Sequence, residues 1–198
     1  MSVEVSLARL ISAIREGRVE SLVEELKKTG SFTFLSYRLP RKPVKVRNPR
    51  KELVELNPGT HSKLEYALFK ATIEAARSGR VPVFREIAEL ASDYKATAKY
   101  LVALSESGIV VFPDPEKASK LVEATKALSE SKYRRRVTKA LDLPVVVNFK
   151  LLEENATRLN CEFREAKILC FFTSHNEERE QDKLQVKIFN EYISQYTK

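Results

Sequence analysis

The stretch Arg85-Glu-Ile-Ala-Glu-Leu-Ala-Ser-Asp-Tyr-Lys-Ala-Thr-Ala-Lys-Tyr-Leu-Val-Ala-Leu-Ser-Glu-Ser-Gly-Ile-Val110 decides how this chain is read. Phe84, Ile87, Ala88 and Ala91 recur at spacings of three and one, the stripe of a short helix. Ser92 and Asp93 are both good N-cap residues, because a short side-chain oxygen takes the open N–H groups of a first turn. A tight turn and a new helix therefore start there. That helix keeps Thr97, Leu101 and Leu104 on one face and ends at Gly108. Ile109-Val110-Val111-Phe112 is a short apolar run that Pro113 closes. Toward the N-terminus, residues 62–78 carry Leu64, Leu68, Ile73, Ala75 and Ala76 before Gly79, a C-terminal stop. Val81-Pro82-Val83 fits a short strand at a sheet edge, where proline is tolerated.

This order resembles the central segment of winged helix-turn-helix transcription regulators. There an "E-I-A-x-x" helix precedes the recognition helix, whose closing pattern is "L-x-x-L-x-x-x-G-[LI]-V". Glu86-Ile87-Ala88 matches the first, and Leu101, Leu104, Gly108, Ile109 and Val110 match the second. The likeness covers residues 61–113 and identifies a superfamily, not a protein. It implies that helix 93–107 enters the major groove of duplex DNA. With Thr97, Leu101 and Leu104 inward, Tyr94, Lys95, Ala98 and Lys99 point away from the core. Lysine there reads guanine edges or meets a phosphate, and tyrosine bonds phosphate or packs on sugar. The same positions also suit an ordinary solvated face with two lysines.

The chain departs from the pattern at the wing. Pro113-Asp114-Pro115-Glu116 follows the first strand at once, with Asp114 and Pro115 as cap and first helical residue. Either the wing is vestigial or its partner strand comes from elsewhere.

Charge is the second signal. Lys and Arg number 35 against 27 for Asp and Glu, a formal charge of +8 over 198 residues. Arg38, Arg41, Lys42, Lys45, Arg47, Arg50 and Lys51 stand together without an acid, and Pro40, Pro43 and Pro49 hold that segment extended. Such an arm tracks a phosphate backbone or enters a minor groove; a solvated linker has the same composition. Lys132, Arg134, Arg135, Arg136 and Lys139 form a second acid-free cluster, either a phosphate clamp or a helix end complemented by cations. Outside these two clusters the chain carries 23 basic against 27 acidic residues. The excess charge is local, which a surface for a polyanion requires.

Residues 3–28 read as helical, in two apolar stripes that Gly17 separates: Val3, Leu7, Leu10, Ile11 and Ile14, then Val19, Leu22, Val23 and Leu26. They suit a domain core or a homodimer; terminal helices often dimerise winged-helix regulators. From Leu143 the period changes from 3.6 to 2. Val145-Val146-Val147-Asn148-Phe149, the alternating segment around Leu159, Cys161 and Phe163, and Ile168-Leu169-Cys170-Phe171-Phe172 suggest a three-stranded antiparallel meander. A turn centred between Glu165 and Ala166 puts Arg164 opposite Lys167, Phe163 opposite Ile168, and Cys161 opposite Cys170. In an ordinary cytosol that cysteine pair is expected reduced; a hyperthermophilic source favours a disulfide. Leu184, Ile188, Phe189, Tyr192, Ile193 and Tyr196 mark a closing helix, although Leu184, Val186 and Ile188 also alternate as a strand would.

Little in the sequence points to catalysis. Five scattered glycines form no phosphate-cradling loop, and His61 and His175 belong to no zinc spacing. The tract His175, Glu177, Glu178, Glu180 and Asp182 offers ligands that could hold a metal, but it reads as a solvated helix start with acids near its N-terminus. No catalytic set, metal site or cofactor motif emerges, no apolar run spans a bilayer, and no leader segment follows Met1, so an intracellular, cytoplasmic or nucleoid-associated location is expected. No Trp and abundant Glu, Lys and Arg suit a thermophile.

The expected architecture is α+β and mainly helical: a winged helix-turn-helix with a reduced wing, N-terminal helices, and a small C-terminal antiparallel sheet plus helix. The expected divisions are an N-terminal helical segment at 1–30, an extended basic arm at 31–60, a winged-helix domain with its following helix at 61–131, and an α+β module at 132–198. The expected function is a DNA-binding transcription regulator. The alternatives are a protein-interaction winged helix in a transcription or replication assembly, and an RNA- or single-strand-binding protein that uses the basic arm.

Overall fold

Gly17 adopts a left-handed conformation (φ 68°) that a residue with a Cβ avoids, so the N-terminal apolar stripe breaks into two helices. α1 (Leu7–Glu16) starts at Ser6, whose hydroxyl accepts from the Arg9 N–H at 3.2 Å. α2 (Val19–Thr29) ends at Gly30. These elements belong to a computed structural model that describes residues 3–40, 46–47, 53–54, 58–127, 135–172 and 176–196. By contacts the chain groups into two units. Unit 1 is Met1–Leu39, Ala76–Gly79 and Phe149–Lys198; unit 2 is Pro40–Ala75 and Arg80–Asn148.

Unit 1 is built on a sheet of order β1-β2-β7-β8, from β1 (Glu4–Val5), β2 (Ser31–Ser36), β7 (Thr157–Arg164) and β8 (Lys167–Cys170). β2 pairs antiparallel with β7, Phe32 opposite Cys161 and Phe34 opposite Leu159, and β1 adds to β2 in parallel. Phe32, Phe34, Leu159, Cys161 and Ile168 line the buried face. α1, α2 and α8 (Asn176–Ile193) complete the core, with Phe34 and Phe189 edge to face at 5.7 Å. The stripes of the first two helices are thus covered within the chain: Leu7, Leu10, Ile11, Val19, Leu22, Val23 and Leu26 are buried.

Three expectations change here. The segment expected at 132–198 is divided, 132–148 falling in unit 2 and 149–198 joining residues 1–39 in unit 1, and residues 31–36 are a strand there, not arm. The meander has a different first member: β2 supplies the strand that the 145–149 run was expected to give. A lone hairpin buries too little to stand, so β7–β8 takes the partner whose apolar alternation matches its own. The closing segment is helix throughout 176–193, so the strand alternative at Leu184–Ile188 falls.

The β7–β8 register is the one read from the sequence. Arg164 faces Lys167, Phe163 faces Ile168 and Cys161 faces Cys170, across a turn whose two residues, Glu165 (φ 54°) and Ala166 (φ 65°), are left-handed. The Phe171 N–H donates to the Asn160 carbonyl at 2.9 Å, so the adjacent Cys161–Cys170 pair is of the closer, non-hydrogen-bonded type. The two are joined in a disulfide, with Cα atoms 4.0 Å apart. The reduced pair expected for an ordinary cytosol is not what this structure holds.

Side-chain amides of α8 grip extended backbone on two sides. Gln185 accepts from the Tyr37 N–H and donates to its carbonyl, both at 2.8 Å; Gln181 does the same for Leu39 at 3.2 and 3.1 Å. Asn190 holds Ile168 in this way at 2.9 and 3.1 Å. Each amide supplies one acceptor and one donor, as a neighbouring strand would.

Unit 2 contains most of α3 (Pro58–Arg77), with α4 (Phe84–Ala91), α5 (Tyr94–Glu106) and α6 (Pro115–Ala127). β5 (Val110–Val111) pairs antiparallel with β6 (Val146–Val147), Val110 opposite Val147. Val83 bridges Pro144, and the Val145 N–H donates to the Pro82 carbonyl at 2.9 Å. The strand expected before the second helix is therefore a single bridge. The partner of β5 does come from elsewhere: it returns after α6. α7 (Phe149–Glu154) follows β6 at the start of the next unit 1 segment. β3 (Val46–Arg47) and β4 (Leu53–Val54) make a small antiparallel pair.

Candidate nucleic-acid interface

The corner between α4 and α5 is assembled by local hydrogen bonds. Ser92 closes α4 in a left-handed conformation, and the Asp93 N–H donates to the Ala88 carbonyl at 3.2 Å. The Asp93 carboxylate then accepts from the Ala96 N–H at 2.9 Å and starts α5. At the start of α4, Glu86 accepts from the Val83 N–H at 3.1 Å and pairs with Arg80 at 2.6 Å. The Arg80 hydrogen bond, against opposing burial, holds the Glu86 carboxyl below its usual range.

The surface of α5 differs from the expectation. Every residue from Ala96 to Val102 is buried, so two turns are enclosed on all sides. Tyr94 and Lys95 are half-buried at the helix start, and the Tyr94 ring lies 6.0 Å from Phe84. Ala98 and Lys99, expected to face DNA, are covered: Ala98 is 0% exposed and Lys99 8%. The pattern of Thr97, Leu101 and Leu104 identifies the inward face correctly. It carries no information about α6, which packs against α5. A helix amphipathic by its own sequence is thereby buried on more than one side.

Burial has a consequence for Lys99. Desolvation, with Lys95 nearby and only partly offset by Asp93, pushes its ammonium pKa down. Between that lowered value and the ordinary one the unfolded chain binds more protons, so stability rises with pH across this alkaline window. Lys99→Met is therefore expected to raise Tm at neutral pH by about 1–4 °C and to flatten the alkaline rise. A lower Tm would mean that the ammonium is well solvated or paired.

The basic clusters separate as well. Arg38 does not project to a ligand: its guanidinium lies 2.8 Å from Asp182 and donates to Thr157 at 2.5 Å, inside unit 1. Arg47 lies on β3, and only its backbone is described. Arg41, Lys42, Lys45, Arg50, Lys51, Lys132 and Arg134 lie outside the described residues. In the second cluster Val137 and Ala140 are buried and anchor a helical stretch at 135–138. Arg135, Arg136 and Lys139 consequently stand exposed. The charge follows the units: unit 2 has 20 basic and 13 acidic residues, unit 1 has 15 and 14.

Among the described residues no group of three His, Cys, Asp or Glu side chains is placed to hold a metal ion, and no helix is long and apolar enough to cross a membrane. His61 and Glu65, one turn apart on α3, are buried, and His61 meets the Tyr100 ring edge to face at 5.9 Å. No protein-family model matches the chain, and neither curated proteins nor solved structures yield a significant match.

Proposed function

We propose that the chain is a nucleic-acid-binding protein of winged-helix type that grips duplex phosphates through unit 2 and does not read bases with α5. The observation that carries this reading is the segregation of charge: nearly all of the +8 resides in unit 2, and Arg135, Arg136 and Lys139 stand exposed together. The order α3, Val83 bridge, α4, turn, α5, β5 and β6 supports the winged-helix part. In place of a wing loop, the chain between β5 and β6 carries α6 and this basic cluster. Arg41, Lys42, Lys45, Arg47, Arg50, Lys51, Lys132 and Arg134 would add phosphate contacts from the two flanking segments. Because such contacts position a protein without specifying sequence, the preference among duplexes is weak.

Substituting alanine at Arg135, Arg136 and Lys139 tests this. Binding of a mixed-sequence duplex should weaken, and the slope of log K against log salt should become shallower by about 2.7, at about 0.9 per lost contact. Arg164→Ala, on unit 1, serves as the control and should change neither. An unchanged slope in the triple variant would remove the cluster from the interface. A wild-type protein that binds no duplex at low salt favours the interaction-module alternative, with which the enclosed α5 also agrees.

A further inference from the structure

The sheet of unit 1 ends at β8, and this edge is only partly closed. In the Phe163–Ile168 and Cys161–Cys170 pairs, both non-hydrogen-bonded, the β8 residue turns its N–H and C=O away from β7. Asn190 takes both groups of Ile168. Among the described residues nothing bonds those of Cys170. Beyond it Phe171 is 66% exposed, the largest exposure of any large hydrophobic side chain described. Between β8 and α8 runs an open groove of about 550 Å³, floored by Ile168, Val186 and Phe172. Lys167, Lys183 and Lys187 rim it, against Glu191 as the one acid among the described residues that line it. The Lys183 ammonium lies 6.0 Å from the centre of the Phe172 ring.

We propose that this edge docks an extended segment of a partner protein, alternately apolar and acidic, as an added strand beside Cys170. Backbone pairing satisfies the open Cys170 groups, an apolar side chain of the segment covers Phe171 on one face of the sheet, and its carboxylates, on the opposite face, meet Lys183. Asn190 stops the pairing at Ile168 and so fixes the register. The charge of the groove selects an acidic segment and disfavours a basic one.

The test uses the full chain and an N-acetylated heptapeptide of alternating valine and glutamate, followed by amide shifts and hydrogen exchange. Titration should shift the Cys170, Phe172 and Lys183 signals and slow exchange at the Cys170 N–H. The same peptide N-methylated at every second residue, in the frame that faces the edge, should lose binding; this control needs no protein variant. Lys183→Glu should weaken binding by at least ~10-fold while Tm stays unchanged. The proposal is overturned if the parent peptide leaves Cys170 unshifted, if N-methylation has no effect, or if a valine–lysine peptide binds equally well.

Discussion

Arg38→Ala should lower the melting temperature of unit 1 by roughly 6–20 °C, corresponding to about 3–5 kcal/mol. The Asp182 side chain is 1% exposed, and the Arg38 guanidinium sits 2.8 Å from it. Removing the arginine leaves a carboxylate that water cannot reach, and it also deprives Thr157 of a donor. The site is central to unit 1, because Gln181 and Gln185 clamp Leu39 and Tyr37 on either side of Arg38. Tyr37 is itself fully enclosed, and burial pushes its phenol up to about 12. Thermal unfolding of Arg38→Ala, and of Arg38→Met combined with Asp182→Leu, separates the causes. The double variant, with neither charge present, should recover most of the loss. If the single variant melts with the wild type, the carboxylate is held by other groups and the account of this site is wrong. Any loss of duplex binding in Arg38→Ala has to be measured where the variant is still folded.

Reduction of the Cys161–Cys170 bridge should cost roughly 2–3 kcal/mol, the chain-entropy value for a loop of about ten residues. The bond joins residues nine apart that stand directly opposite each other on paired strands. Cys161 is buried on the same face as Phe32, its partner across β2. Denaturant unfolding with and without reductant measures the loss, and Cys161→Ser with Cys170→Ser should reproduce it. Thiol titration of the unreduced, denatured protein should find no free thiol, since the chain has only these 2 cysteines. Two titratable thiols would mean that the pair sits opposed but unbonded.

The two results bear on where the sequence was readable. Within one element, and across a tight turn, local chemistry is sufficient. Asp93 marks a helix start because its carboxylate oxygen accepts from a backbone N–H three residues on. The left-handed pair Glu165 and Ala166 sets the hairpin register by simple counting, and that register holds down to the cysteines. The partner of β5 was legible only as a missing strand, because nothing near Val110 says that Val147 will return to it after α6.

Arg38 shows the other limit. In the sequence it is one of seven neighbouring cations with no acid among them, and an electrostatic reading assigns all of them to a polyanion. Its actual partner, Asp182, is 144 residues away, in a tract that reads as a solvated helix start. The same holds for Lys99. Its helix is amphipathic by its own periodicity, yet a face that the periodicity assigns to solvent is buried.

The sequence by itself determined most of the helices though not α7, the cap at Asp93, the break at Gly17, the β7–β8 register and the local excess of positive charge. These are set by interactions between residues a few positions apart, where chain connectivity already holds the partners close. Only the tertiary structure decided that β2 completes the C-terminal sheet, that α5 is enclosed, and which cations remain exposed. Those outcomes depend on contacts between distant segments, chosen by apolar area and polar satisfaction summed over a whole unit, and no window of sequence contains that sum.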